Sequence, residues 1–303
     1  RAKNNPFYDD GVALDGEDPS LQGGAAKVVV DRAIPFIEKA VAADTPFFSV
    51  VWFHAPHEDI EAGPEYLAMY PNTGDAAHYY GCITELDEQV GRIRAKLDAL
   101  GVAENTLIFF CSDNGPEGNK PSKRRQGVTN GLRGRKRALY DGGVRVPALA
   151  CWPGTLTAGS ELDTPLSTLD YFPTVQQLTS YEMPDARPID GQDIWPILTG
   201  TTEQRAKSIP FIRSNEVSLV KDQFKLLLPK GELYDLSEDW SEATNVAAEH
   251  PERVDGMRRE VQALLASMKA SHSGADYSDP SFKPVGKWKL LLKSKSGGKK
   301  ANK

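Results

Sequence analysis

Apolar and polar positions follow two rhythms along this chain, and the change between them falls near residue 200. In the earlier part, residues 47–53 and 106–111 are continuous apolar runs of strand length, the pattern of strands covered on both faces. Between them, Ile83, Leu86, Val90, Ile93, Leu97 and Leu100 recur at three- and four-residue spacing. Glu85, Glu88, Arg92 and Lys96 fall off that stripe, so a helix is predicted over about 75–100, closed by Gly101. Another is predicted over 25–43, anchored by Val28, Ile34 and Ile37, with Pro35 as a point of kinking. Strand, helix, strand in this order implies an α/β domain with a mixed, largely parallel sheet and flanking helices. Beyond Gly200 the apolar runs shorten to 209–213, 217–221 and 224–228, with Asp222-Gln223 as a tight turn, and a last helix is predicted over 252–269. That is the pattern of a small antiparallel α+β subdomain. The expected division is 1–205, 206–282 and 283–303.

The two ends read differently. Residues 4–24 are rich in Gly, Asp and Pro, which marks irregular surface chain. From Lys283 onward there are eight lysines and no acidic residue, the composition of a solvated tail or of a patch for anionic polymers. The 303 residues are 40% hydrophobic and 26% charged, which is ordinary for a globular protein. A net charge of −6 argues against general nucleic-acid binding. No apolar run approaches the roughly 18 residues of a membrane span. The three cysteines, widely separated, form neither a disulfide framework nor a zinc pattern.

The chemistry concentrates at Ser112-Asp113-Asn114-Gly115-Pro116, directly after the second apolar run. A carboxylate and an amide oxygen side by side are hard donors, suited to Ca²⁺ or Mg²⁺ rather than zinc. Taken alone, Asp-Asn-Gly is also ordinary turn chemistry. Upstream lies Pro46-Phe-Phe-Ser-Val-Val-Trp-Phe-His54-Ala-Pro-His57. Downstream lie Gly131-Leu-Arg-Gly-Arg-Lys136, then Asp141-Gly142-Gly143-Val-Arg145-Val-Pro147, and then Cys151-Trp152-Pro153-Gly154. Ser167-Thr-Leu-Asp170, Asp190-Gly-Gln-Asp-Ile-Trp195 and Leu233-Tyr-Asp-Leu236 follow.

In this order the segments resemble the formylglycine-dependent sulfatases of the alkaline-phosphatase-like superfamily, from about residue 5 to about residue 272. The resemblance implies that residues 1–205 are the C-terminal part of a catalytic domain that cleaves sulfate esters, those of carbohydrates being the commonest case. It makes Asp113 and Asn114 ligands of a divalent cation, Ca²⁺ or Mg²⁺. It assigns Lys136, six residues before Gly142, to a sulfate oxygen and the leaving-group oxygen, and His57 to hydrogen bonding or proton transfer. His54 becomes a neighbour of that site, while His78, His250 and His272 carry no signal. Arg133, Arg135 and Arg137 are expected to bind nearby acids or draw in anionic substrate, and Arg145 to form an ion pair. Asp113, Asn114, His57 and Lys136 are expected to converge on one rim of the sheet, since strand-end loops of α/β sheets face a common crevice.

Where the family has its nucleophile, a Cys-x-Pro-x-Arg or Ser-x-Pro-x-Arg motif, this chain has none. Cys151-Trp-Pro-Gly-Thr155 is a near miss, with threonine in the arginine position and the wrong place in the order. By the resemblance, the family's N-terminal Asp-Asp metal pair is expected to be missing too, and the chain begins at Arg1. The expectation is therefore the C-terminal portion of a longer enzyme, with formylglycine in the portion preceding Arg1, and inactive alone. By resemblance such an enzyme is periplasmic or secreted. Two other readings stay open: a phosphate or phosphonate ester hydrolase of the same superfamily, and a non-catalytic protein that binds sulfated glycans through the basic loop.

Overall fold

The computed structural model describes residues 23–288, apart from Ala186, Ser278, Pro280, Val285 and Lys287. The irregular segment expected over 4–24 and the basic tail expected over 283–303 lie almost wholly outside the described residues. In chain order the elements are α1 (Ala25–Ala42), α2 (Pro64–Leu67), α3 (Ala76–Ala99), β1 (Ile108–Cys111), α4 (Asp141–Val144), β2 (Ala148–Cys151), α5 (Tyr171–Thr179) and α6 (Trp195–Leu198). Then come β3 (Ile209–Arg213), β4 (Glu216–Lys221), β5 (Phe224–Leu228), β6 (Glu232–Asp235) and α7 (Pro251–His272). The chain divides into two compact units. Unit one comprises Arg1–Phe110, Glu117–Val128 and Leu149–Thr155, and unit two Cys111–Pro116, Thr129–Ala148 and Leu156–Lys303. No helix among the described residues is long and apolar enough to cross a membrane.

In unit one, α3 packs against α1 and α2. The predicted aliphatic stripe of α3 is not its most buried line. Ala77, Gly81, Cys82, Glu85, Gln89 and Leu97 are buried, whereas Ile83 is 40% exposed. Close approach selects small residues: a Cβ on Gly81 would stand 2.7 Å from that of Ala62. Glu85, expected to point away, instead accepts a hydrogen bond from the Lys27 backbone N–H at 3.3 Å, and burial pushes its carboxyl pKa up. Helix α1 runs through Pro35, and Lys96 of α3 donates to Glu38 of α1 at 2.6 Å.

The strand expected over 47–53 does not form among the described residues. Phe48, Val50 and Trp52 are 73%, 58% and 84% exposed, with the intervening residues half-buried. An apolar run becomes a strand only where a neighbour supplies ladder partners, and among the described residues none does. Strands β1 and β2 form a two-stranded sheet, and Leu149 of β2 is also exposed.

Cys82 sits among Ile60, Ala62 and Tyr66. Burial, reinforced by the Glu85 carboxylate, pushes its thiol pKa up to about 11. Because the thiolate is the reactive form, Cys82 is expected to stay unalkylated by iodoacetamide at pH 8 in the folded chain and to react after urea unfolding. Peptide mass mapping checks this, and rapid labelling of the folded chain would contradict the closed packing.

Unit two contains the antiparallel sheet in the order β3-β4-β5-β6. Its turns are tight: Ser214 and Asp222 take φ of 52°, a conformation tolerated best by residues such as Asp and Asn. Strand β6 is not among the predicted elements, since four residues carry too little pattern to separate from loop. Alternation along β5 divides its side chains between two layers. Phe224, Leu226 and Leu228 pack with Val217, Leu219 and Leu233 against Val254, Met257 and Val261 of α7. Leu227 packs the other way, with Tyr234, against Leu139. Strand β5 is therefore buried on both faces, and its second face carries the loop that holds Lys136.

Candidate functional site

The Asp113-Asn114 turn leaves the end of β1 and is locked to two other segments of unit two. Ser112 N–H donates to Pro147 O at 3.3 Å, Gly115 N–H to Gly143 O at 2.9 Å, and Lys136 N–H to Pro116 O at 3.1 Å. The three backbone bonds bring the 112–116, 136 and 142–147 segments together, although Ser112 and Pro147 are 35 residues apart in sequence. Glycine is required at the junction. A Cβ on Gly115 would lie 1.9 Å from Gly142 O, and one on Gly142 would lie 2.3 Å from Gly134 O. The Asp-Asn-Gly motif is thus more than a turn, because its glycine permits backbone contact with the Gly142-Gly143 pair.

The side chains of Asp113 and Asn114 form no hydrogen bond or ion pair with the described residues. Asp113 is exposed and Asn114 half-buried. Two uncommitted oxygen donors on a braced turn fit two positions in the shell of a hard divalent cation. A complete shell of six to eight oxygens needs more, and among the described residues no cluster of three or more His, Cys, Asp or Glu side chains is arranged to hold a metal.

Lys136 is half-buried. It precedes Arg137, whose φ of 75° is uncommon for a bulky residue, and Ala138 N–H closes the turn onto Arg135 O at 2.8 Å. Local strain held by surrounding bonds marks positions whose geometry matters. Arg133, expected to bind nearby acids or draw in anionic substrate, serves the scaffold. Its Nη1 donates to the Tyr234 hydroxyl at 2.9 Å and to Glu242 O at 2.7 Å, and its guanidinium covers the Tyr140 ring at 3.9 Å. Burial raises the Tyr140 and Tyr234 pKa values to about 12, so both phenols stay protonated beside it. Arg145 lies 3.8 Å from Asp141, the ion-pair role expected of it.

His57 belongs to unit one. Its ring is exposed, its Nδ1 donates to Glu58 O at 2.7 Å, and its backbone N–H donates to His54 O at 2.8 Å. The first of these bonds fixes the tautomer that leaves Nε2 as an acceptor when the ring is neutral. His54 stands edge-on at 5.2 Å between ring centres, and burial, with the neighbouring His57, lowers its pKa. Arg125 forms an ion pair with Glu58, and Arg124 donates to Ile60 O at 2.9 Å. Both arginines brace the segment after His57.

Two buried ionic sites involve residues to which the sequence pattern assigned no role. Asp170, fully buried, accepts from the Ser167 and Gln192 N–H groups at 2.8 and 3.0 Å and bidentately from Arg205 at 2.6 and 2.8 Å. It ends the Ser167-Thr-Leu-Asp170 motif, but Gln192 and Arg205 lie 22 and 35 residues away. The second is Lys225, paired with Asp141 and Glu242. A lone lysine inside Phe-Lys-Leu-Leu-Leu is the available signal for it.

A family model described as Sulfatase matches residues 2–181. Steryl-sulfatase of Rattus norvegicus is 40% identical over 189 residues, 61% of this chain and 31% of that protein. A sulfatase of Formosa agariphila is 28% identical over 317 residues, covering 90% of this chain and 54% of the relative. Among solved structures, Ps i-CgsB, also solved in complex with k-i-k-neocarrahexaose, matches with a TM-score of 0.70 at 29% identity, over 79% of this chain and 54% of its own. The chain thus matches 31% of the length of the first of these proteins and 54% of the length of the other two.

Proposed function

The chain belongs to the sulfatase family and shares its alkaline-phosphatase-like α/β fold, and on that premise we propose that it serves the hydrolysis of sulfate esters, those of carbohydrates in particular. The observation that carries the reading is the backbone junction of the Asp113-Asn114 turn with the Lys136 and Gly142-Gly143 segments. It gathers two oxygen donors and an ammonium on one braced framework. The similarity to a structure solved with an oligosaccharide supports a carbohydrate substrate.

Asp113 and Asn114 would hold Ca²⁺ or Mg²⁺, which when bound supplies positive charge to the sulfuryl oxygens. Lys136 would hold a sulfate oxygen and stabilise the charge that grows on the leaving oxygen. His57, with Nδ1 committed to Glu58 O, would carry a proton at Nε2 and deliver it to the departing alcohol. None of the three cysteines stands in a Cys-x-Pro-x-Arg context, so the chain's own residues do not fit formylglycine. The nucleophile is not assigned to any of them.

Purified 1–303 is accordingly expected to leave 4-nitrophenyl sulfate intact. The natural gene product, produced with the formylglycine-generating enzyme, is expected to release 4-nitrophenol from it and sulfate from sulfated oligosaccharides. Turnover by 1–303 that is lost on Lys136→Ala would overturn the assignment of the nucleophile elsewhere. Action of the gene product on 4-nitrophenyl phosphate alone would replace sulfate ester hydrolysis with phosphate ester hydrolysis.

A further inference from the structure

Lys225 is fully buried in the centre of the antiparallel sheet, on the face turned toward the Lys136 loop. Its ammonium lies 2.6 Å from Asp141 Oδ1 and 3.0 Å from Glu242 Oε1. The other Glu242 oxygen accepts from the Asp141 backbone N–H at 2.6 Å. Each member therefore contacts both others. Glu242 is itself fully buried and held at a φ of 56°, an unusual conformation for glutamate.

Burying three charges is costly, and an ion pair of this kind is often no more stabilising than apolar residues of the same shape. Stability alone does not account for it, since the surrounding positions of β5 are all aliphatic or aromatic. The position of its members does. Asp141 opens α4 and immediately precedes Gly142 and Gly143. Gly142 N–H donates to Arg133 O at 2.7 Å, and Gly143 O receives Gly115 N–H. Arg133 in turn donates to Glu242 O. A closed circuit thus runs from Lys225 through Asp141 to the Asp113-Asn114 turn, and from Glu242 through Arg133 back to Gly142.

We propose that Lys225, Asp141 and Glu242 form a buried clamp by which the C-terminal antiparallel sheet positions the Asp113-Asn114 turn and the Lys136 loop. They are positioning residues: none is assigned contact with substrate. The functional consequence rests on the sulfatase reading, but the clamp itself is a statement about order in this chain.

Native-state amide hydrogen exchange of the full chain tests it, with no turnover needed. In Lys225→Met and Glu242→Ala, the amides of Gly115, Lys136 and Gly142 are expected to exchange roughly 100-fold faster, the size of effect set by stranding buried carboxylates in the first variant and by leaving the buried Asp141 N–H without its acceptor in the second. Amides of β3, β4 and β6 should keep their protection. Glu242→Gln retains an acceptor for the Asp141 N–H and should preserve near wild-type exchange at all three sites, a rescue that bulk packing does not supply. Unchanged exchange at Gly115, Lys136 and Gly142 in both truncations would overturn the clamp. Uniform loss of protection across the sheet would overturn it too, since the triad would then hold the core and not the loops. Absence of sulfatase turnover in the natural gene product would leave these exchange results standing and would fail only the catalytic reading.

Discussion

Replacing Lys136 by alanine in the natural gene product is expected to lower kcat for sulfate esters by roughly 10²–10³-fold, the effect of removing one preorganised transition-state donor. The loop around it is held by backbone bonds, from Lys136 N–H to Pro116 O and from Ala138 N–H to Arg135 O, which do not depend on its side chain. The fold should therefore survive and the loss should fall on chemistry. If the ammonium acts at the leaving oxygen, the loss should grow as the leaving group worsens. An alkyl or sugar sulfate needs charge stabilisation at that oxygen more than 4-nitrophenyl sulfate does. Lys136→Arg should recover little, since a planar guanidinium does not reproduce a compact ammonium that contacts two oxygens from one point. Steady-state kinetics over a series of aryl and sugar sulfates would decide this. An equal loss for every leaving group would move Lys136 to ground-state binding of the sulfate.

The largest effect on stability is expected at Asp170. Asp170→Ala removes the partner of four hydrogen bonds and strands Arg205, whose side chain is only 8% exposed. Breaking such a buried pair costs about 3–5 kcal/mol. Urea unfolding followed by circular dichroism should register that loss for the transition of unit two. Removing Arg205 as well, in Asp170→Ala/Arg205→Met, should recover part of it, because the uncompensated charge is gone. A loss under about 1 kcal/mol in the single variant would mean that solvent reaches Arg205 and takes the place of the carboxylate. The same carboxylate accepts the N–H groups of Ser167 and Gln192, so these loops should loosen together.

The apolar and polar pattern determined the elements whose stability is local or repeated. Helix α3 is within a residue or two of its expected span because its period repeats over several turns. Strands β3, β4 and β5 match because tight turns pair each with its chain neighbour, so no distant partner is needed. Motif order was legible too: Asp113, Asn114, Lys136 and the Gly142-Gly143 pair stand in segments that residue type alone singles out, and the roles proposed for them rest on that reading. The pattern did not determine anything that needs a distant neighbour. Residues 47–53 have the composition of a buried strand, yet strand structure is a property of two segments, and one segment cannot encode its partner's presence. The buried line of α3 follows Gly81, Cys82 and Glu85 rather than its leucines, because interhelical distance is set by what α1 and α2 bring to it. The junction of Gly115 with Gly143, the bidentate hold of Arg205 on Asp170 and the Lys225 cluster were likewise settled only by tertiary structure. Their partners lie 28, 35 and 84 residues apart, beyond any periodicity. A buried charge such as Lys225 betrays in sequence that it must have a counterion, since burying it alone is prohibitive. Which carboxylates answer it is a matter of three-dimensional proximity alone.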